Sequence, residues 1–292
     1  MLHKNYKEGE QLDVAGLNKI TVLVDRSESE LSEIGFNEWR PKLDGPPHKH
    51  GDKDQVFYIT SGVGKIKLAD ATYDVKEGCC CYVPAGLVHQ TITTVDEPLG
   101  YILFNIFNSA DSKEGHGTFA EHIEKVKQIR KQQAESARSD INDNETEVRN
   151  VRPAKFFKDV YLGNVYDFGS NSTILLLDRR ETNGFELVVE KWPPHNRGAM
   201  VAHSEKEQTF FVLKGTGKVT IADETETVKP GDVVFVPRNT PHTKESFDEE
   251  LVYLCLNSHA VKPKDESFEA MYNRIAAQRM ERWKSGSQDV GE

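Results

Sequence analysis

The sequence predicts an all-β protein built from two tandem β-barrels, each followed by an amphipathic α-helix. Three observations carry this. Short runs of β-branched and aromatic residues are punctuated by glycine turns, a pattern returns after 153 residues, and one helical pattern follows each β-rich stretch.

The strands come first. Gln55 to Thr60 and Gln208 to Leu213 are rich in aromatic and β-branched residues, which suit a pleated, half-buried surface. Each runs into a Gly-x-Gly turn, Gly62-Val63-Gly64 and Gly215-Thr216-Gly217. Strand-like Lys65 to Leu68 and Lys218 to Ile221 follow. Gly78 and Gly231 then open the runs Cys79 to Val83 and Asp232 to Val236, each ended by a proline, which cannot donate to a ladder. Many short strands with regular turns and no alternating helices indicate a sandwich or barrel.

The repeat is gap-free over a long span. A shift of 153 relates Asp25 to Asp178, Trp39 to Trp192, His50 to His203 and Gln55 to Gln208. It also relates Gly62 to Gly215, Gly78 to Gly231, Pro84 to Pro237 and His89 to His242. One fold is therefore written twice.

Helical spacing appears where the β pattern stops. Phe119, Ile123, Val126 and Ile129 share one face, as do Phe268, Met271, Tyr272 and Ile275 near the C-terminus, at the 3–4 spacing of a helix. Residues from about 132 to 150 are charged and poor in apolar side chains, the composition of a solvated linker. The expected organisation is a first barrel over 1–115, a helix and linker over 116–150, a second barrel over 151–265 and a helix and tail over 266–292.

Composition narrows the function. The net charge of −10 argues against a broad basic surface, hence against nucleic acid. No run of about 18 apolar residues exists to span a membrane, and Met1 to Tyr6 lacks the apolar core of a signal peptide. The four cysteines, Cys79, Cys80, Cys81 and Cys255, include no CxxC pair. They read as free thiols in a reducing cytoplasm, the three adjacent ones as apolar strand filler.

The chemistry sits in the first copy. In Pro47-His48-Lys49-His50 both histidines fall on one face of an extended segment. With the distant His89 they form a set that commonly presents imidazoles to one ion. His48-x-His50-(x4)-Gln55-(x6)-Gly62 and Gly78-(x5)-Pro84-x-Gly86-(x2)-His89 resemble the two cupin motifs. The repeat extends the resemblance to a two-domain cupin over most of the chain. It implies jelly-roll barrels and a divalent ion (Fe, Mn, Co, Ni or Zn) held by His48, His50, Gln55 and His89. The sequence departs from the family in having Gln55 where glutamate is usual and Thr93 where asparagine is frequent. Four neutral ligands would leave a divalent ion its full charge, favouring a carboxylate or enolate partner. Asp54 should point away from the Gln55 face.

In the second copy the register puts Val201 opposite His48, while His203, Gln208 and His242 remain. These three define a second candidate metal site, intact or vestigial. Asn239 takes the place of Gly86, and asparagine tolerates a left-handed backbone. Strand parity places Phe57 and Ile59 with Gln55, Phe210 and Val212 with Gln208, Thr91 and Thr93 with His89, and Lys244 and Ser246 with His242. Thr93 and Lys244 are therefore candidate catalytic groups, Lys244 as an anion clamp or a base or, if its strand has ended, a solvated side chain. His195 and Arg40 read as rim or surface residues. The functional expectation is a metal-dependent enzyme acting on a small, anionic oxygenated organic acid or keto/enol compound, as a dioxygenase or an isomerase. The rival expectation is a non-catalytic metal-containing barrel that binds a small molecule. A two-barrel monomer or a homodimer is expected.

Overall fold

The computed structural model describes residues 1–110, 117–135, 151–261 and 265–285, with side chains omitted for 130–135. Most of the expected charged linker lies outside the described residues. In chain order the first strands are β1 (Leu2–Asn5), β2 (Gln11–Val14), β3 (Asn18–Val24), β4 (Ser32–Trp39) and β5 (Lys53–Ser61). Next come β6 (Val63–Leu68), β7 (Ala71–Lys76), β8 (Cys80–Val83), β9 (His89–Ile92), β10 (Leu99–Phe107) and helix α1 (Phe119–Glu135). The second half holds β11 (Lys155–Phe157), β12 (Val165–Asp167), β13 (Ser172–Leu177), β14 (Phe185–Trp192) and β15 (Lys206–Lys214). It ends with β16 (Gly217–Ile221), β17 (Glu224–Val228), β18 (Asp232–Val236), β19 (His242–Ser246), β20 (Leu251–His259) and helix α2 (Phe268–Ser285).

The chain forms two compact units. In Glu8–Asp159 a seven-stranded antiparallel sheet, order β11-β8-β5-β10-β4-β3-β2, faces the three-stranded sheet β7-β6-β9. The other unit repeats this with β1-β18-β15-β20-β14-β13-β12 and β17-β16-β19. Inward side chains fill each barrel. Phe57, Ile59, Ile66, Leu68, Tyr101 and Leu103 are among those in the first, and Phe210, Val212, Val219, Ile221, Val234 and Tyr253 in the second.

Two short segments depart from the expected boundaries of 1–115 and 151–265. Met1–Lys7 belongs with Val160–Glu292, because β1 pairs antiparallel with β18 from Leu2↔Phe235 to Asn5↔Asp232. In turn β11, before Val160, edges the first unit through β8. Strand pairing of such long sequence separation leaves no local trace in composition.

The helices fall where periodicity puts them. Phe119 and Ile123 of α1 pack with Val14 and Ile20, and Phe268 and Ile275 of α2 join the second core. A repeated aspartate starts both helices. Asp25 accepts the Phe119 N–H at 2.9 Å and Asp178 that of Phe268 at 2.8 Å, satisfying amides that lack an intrahelical partner. The cysteines are buried and free, and burial pushes the Cys80, Cys81 and Cys255 thiols up, so they remain protonated apolar filler.

Candidate metal centre

His48 and His89 form an antiparallel bridge. Each donates its backbone N–H to the other's carbonyl, at 3.0 and 2.8 Å. The Gly86 N–H reaches the His50 carbonyl at 2.7 Å. Gly86 has φ +85°, a conformation glycine adopts without strain. The two motifs are thus stitched backbone to backbone, and their imidazoles converge. Ligand nitrogens of His48, His50 and His89 all lie within 4.8 Å of one another. Nitrogens sharing one ion at about 2.1 Å stand about 3.0–4.2 Å apart, so small ring rotations suffice to close the set.

Protonation is arranged for this. The Nδ1 atoms of His48 and His89 face the carbonyls of Pro46 and Leu87 at 3.0 and 3.1 Å. A carbonyl only accepts, so each Nδ1 carries the proton and each Nε2 keeps its lone pair. Burial, with Lys53 and His48 adding to it, holds His50 well below its ordinary pKa. Burial with His48 does the same to His89. These imidazoles are neutral at pH 7.

Gln55 is the fourth candidate, and its amide orientation follows from its hydrogen bonds. Its Nε2 donates to Asn105 Oδ1 at 2.7 Å, and Asn105 Nδ2 donates to Glu33 Oε1 at 2.7 Å. Glu33 is fully buried and accepts the Arg26 Nε–H at 2.6 Å, with a terminal nitrogen of the guanidinium 2.6 Å from the same oxygen as an ion pair. Paired with a guanidinium it is a carboxylate, which can only accept. The polarity of the relay is therefore fixed, and the Gln55 oxygen must face away from Asn105. That oxygen is buried without a hydrogen-bond partner, a costly arrangement unless something electrophilic meets it. Three lone-pair imidazole nitrogens and one orphaned amide oxygen fit a divalent cation. Asp54 points the other way, accepting from the Tyr82 hydroxyl at 2.8 Å and the Ala85 N–H at 2.7 Å.

The second unit copies the frame but not the set. Val201 and His242 make the same two backbone bonds, and the Asn239 N–H reaches the His203 carbonyl at 2.7 Å with φ +59°. Gln208 donates to Asn257 at 2.7 Å, and its oxygen is again unpartnered. Burial lowers His203, and it lowers His242 to about 3. Arg179 binds Glu186 at 2.6 Å, as Arg26 binds Glu33. Only two imidazoles remain, and their ring centroids are 5.4 Å apart.

The candidate catalytic groups divide. The Thr93 hydroxyl lies 2.7 Å from the Arg40 carbonyl and 3.0 Å from that of Leu43, and accepts the Leu43 N–H at 2.8 Å. This hydroxyl fastens the 40–43 segment. Ser246 ties the second unit in the same manner, accepting the Asn196 N–H at 3.0 Å. Lys244 is buried inside its barrel, with Nζ 4.3 Å over the Phe210 ring, so its strand has not ended there. His195 and Arg40 are exposed, beside Asp248 at 3.7 Å and Asp13 at 3.2 Å.

The relay behind Gln55 was missed by sequence reasoning. The 153-residue shift also relates Arg26 to Arg179 and Glu33 to Glu186, and repeated charges within apolar strands were the available signal.

Two barrels of one topology, the first enclosing three converging imidazoles, define a duplicated jelly-roll protein with one well-formed candidate metal centre. The family described as the cupin domain matches residues 37–105 and again 188–257, so the chain is a two-domain cupin. Over 63 residues it is 35% identical to an uncharacterized protein of Aquifex aeolicus, covering 22% of this chain and 52% of that one. Over 55 residues it is 32% identical to one of Methanocaldococcus jannaschii, covering 19% and 44%. The chain thus matches about half the length of these relatives. Bacillus subtilis oxalate decarboxylase, in its structure at pH 4.6, superposes with a TM-score of 0.61 at 16% identity, over 90% of this chain and 77% of that one. The formate complex of Lactobacillus farciminis oxalate decarboxylase gives 0.61 at 13%, over 90% and 87%. At these identities the likeness concerns the fold.

Proposed function

We propose that the first barrel is the active site of a metal-dependent enzyme acting on a small anionic, oxygenated organic acid. The ligands are His48, His50, Gln55 and His89. The observation that carries this reading is the convergence of three imidazoles that keep their lone pairs, together with a buried, orphaned Gln55 oxygen turned away from Asn105 by a relay of fixed polarity. A divalent ion among four neutral donors would keep its full charge and act as a Lewis acid toward carboxylate or enolate oxygens. The protein's own contribution is orientation and dryness. Pro46 and Leu87 fix the imidazole tautomers. Asn105 and Glu33 fix the amide. Phe57, 5.8 Å from the His89 ring and 4.9 Å from that of Tyr101, forms an apolar wall that excludes water. The solved structures of similar fold act on oxalate, a substrate of the same chemical class.

Metal analysis of the purified chain tests the site. His48→Ala and His89→Ala should each lose bound metal, and unchanged content in both would overturn the assignment. Turnover of a panel of keto and enol acids under strict anaerobiosis then separates the two reaction classes. A dioxygenase stops without O₂, and an isomerase continues.

A further inference from the structure

Behind Gln55 the first barrel buries more positive charge than negative. Arg26 is 1% exposed, Glu33 0% and Lys53 3%, so two cations share one carboxylate. One Glu33 oxygen takes Arg26 at 2.6 Å, and the Lys53 Nζ lies 3.7 Å from the other. Among the described residues no further carboxylate comes within 4.0 Å of Lys53, and its ammonium has no hydrogen-bond partner. Asp25, next to Arg26 in the chain, is half-buried and already holds the Phe119 N–H. Both cations lie 5.5 Å from the centroid of the Phe107 ring, which compensates a buried charge only in part.

This charge bears on the candidate metal centre. Lys53 and Gln55 are two residues apart in β5 and so share one face of the strand. Burial first, and the field of Lys53 with it, holds both His50 and His89 below their ordinary pKa. The counterpart Lys206 is only partly buried, so the second unit does not bury the same excess. A divalent ion among three imidazoles and an amide would add two charges with none to cancel them. Binding of the metal alone is therefore opposed, and an acid bringing two negative charges relieves this more than an acid bringing one. By linkage, the affinity such an acid gains from the metal is gained by the metal from the acid.

We propose that Lys53 makes the first barrel selective for a doubly charged small acid, a dicarboxylate or comparable dianion, which binds together with the metal ion. Lys53 is a specificity-determining residue that acts through its field. This selectivity rests on the metal-centre reading above, because the bound cation is what the dianion neutralises.

The test is equilibrium dialysis of cobalt(II) against chelator-stripped full-length protein, alone and with oxalate or its isosteric monoanion oxamate, at equal free cobalt. In the parent, oxalate should raise the cobalt affinity at least about threefold more than oxamate does. Lys53→Met removes one buried like charge and leaves Arg26 and Glu33 balanced. It should bind cobalt alone at least about threefold more tightly than the parent, and its preference for oxalate over oxamate should shrink by a similar factor. A merely structural role would loosen the metal instead. Lys53→Gln reads the same sign if the methionine variant does not fold. The proposal is overturned if oxalate has no advantage over oxamate in the parent, or if the uncharged variant binds cobalt no more tightly than the parent. A parent that takes up no cobalt overturns the metal-centre reading itself, and this selectivity with it.

Discussion

Replacing Gln55 by the glutamate usual in cupins should harm the metal-free protein. The reason lies in the relay behind it. Asn105 must donate to Glu33, so its oxygen faces residue 55. In Gln55→Glu a carboxylate oxygen would meet that amide oxygen at a separation now spanned by a 2.7 Å hydrogen bond. Asn105 cannot turn over without presenting its oxygen to the Glu33 carboxylate. The lost bond and the unsatisfied buried acceptor together cost about 2–4 kcal/mol. At about 2–4 °C per kcal/mol for units of this size, the melting temperature of chelator-treated protein should fall by about 4–16 °C. Adding Glu33→Gln lets the whole chain of amides reverse, with the new amide nitrogen at position 33 donating to Asn105 and Asn105 donating to residue 55. The double variant should therefore recover at least about 1 kcal/mol relative to additivity in a double-mutant cycle. Thermal melts of the four proteins in chelator decide the matter. If Gln55→Glu melts at or above the parent, or the cycle shows no coupling, the fixed polarity of the relay is refuted.

Other expectations follow from packing and charge. A Cβ on Gly62 would lie 2.1 Å from the Pro98 carbonyl oxygen, at φ +74°, so Gly62→Ala should cost about 2–4 kcal/mol, measurable by urea unfolding. The equivalent Gly215→Ala, 2.1 Å from the Glu250 oxygen, should behave alike. His3 lies 3.0 Å from Asp232. That hydrogen bond, opposed by burial, raises the His3 pKa above 6.5, while Asp232 is lowered from 3.8 by its His3 and Asn5 partners despite burial. A raised histidine stabilises fully below its unfolded pKa and stops doing so as pH rises through the folded one. A lowered carboxylate stops as pH falls through its own. Amide exchange in β1 should therefore be slowest, once corrected for intrinsic pH dependence, between about pH 4 and 6.5. His3→Gln should flatten that dependence, and a flat profile in the parent would refute the link.

Much of this molecule could be read from its residues. The 153-residue shift located His203, Gln208 and His242 against their counterparts, and the structure shows why the register holds. Lys42 and His195, which it aligns, both have positive φ, +51° and +56°. Asn239 takes the left-handed conformation of Gly86, as its residue type allows. Parity placed Lys244 inside and Asp54 outside. Thr93 lies just past the end of β9, where its hydroxyl turns back onto the Arg40 and Leu43 carbonyls. The relay of Asn105, Glu33 and Arg26 was invisible to motif reading, because its members are scattered over β10, β4 and the turn before β4 and meet only through sheet pairing. For the same reason no local pattern could give the partners of β1 and β11.

The pairing of β1 imposes a timetable on synthesis. Asn5 and its partner Asp232 are 227 residues apart in the chain. At about 5–20 residues per second, the segment waits about 11–45 s after leaving the ribosome before its neighbour emerges. Throughout that interval its backbone donors and acceptors are unspoken for, and the first unit itself lacks its edge strand until Lys155–Phe157 arrives. Nascent chains halted before residue 232 should therefore carry an accessible N-terminal strand. Cutting the protein between its two cupin sequences would leave each product short of an edge that the other piece still carries.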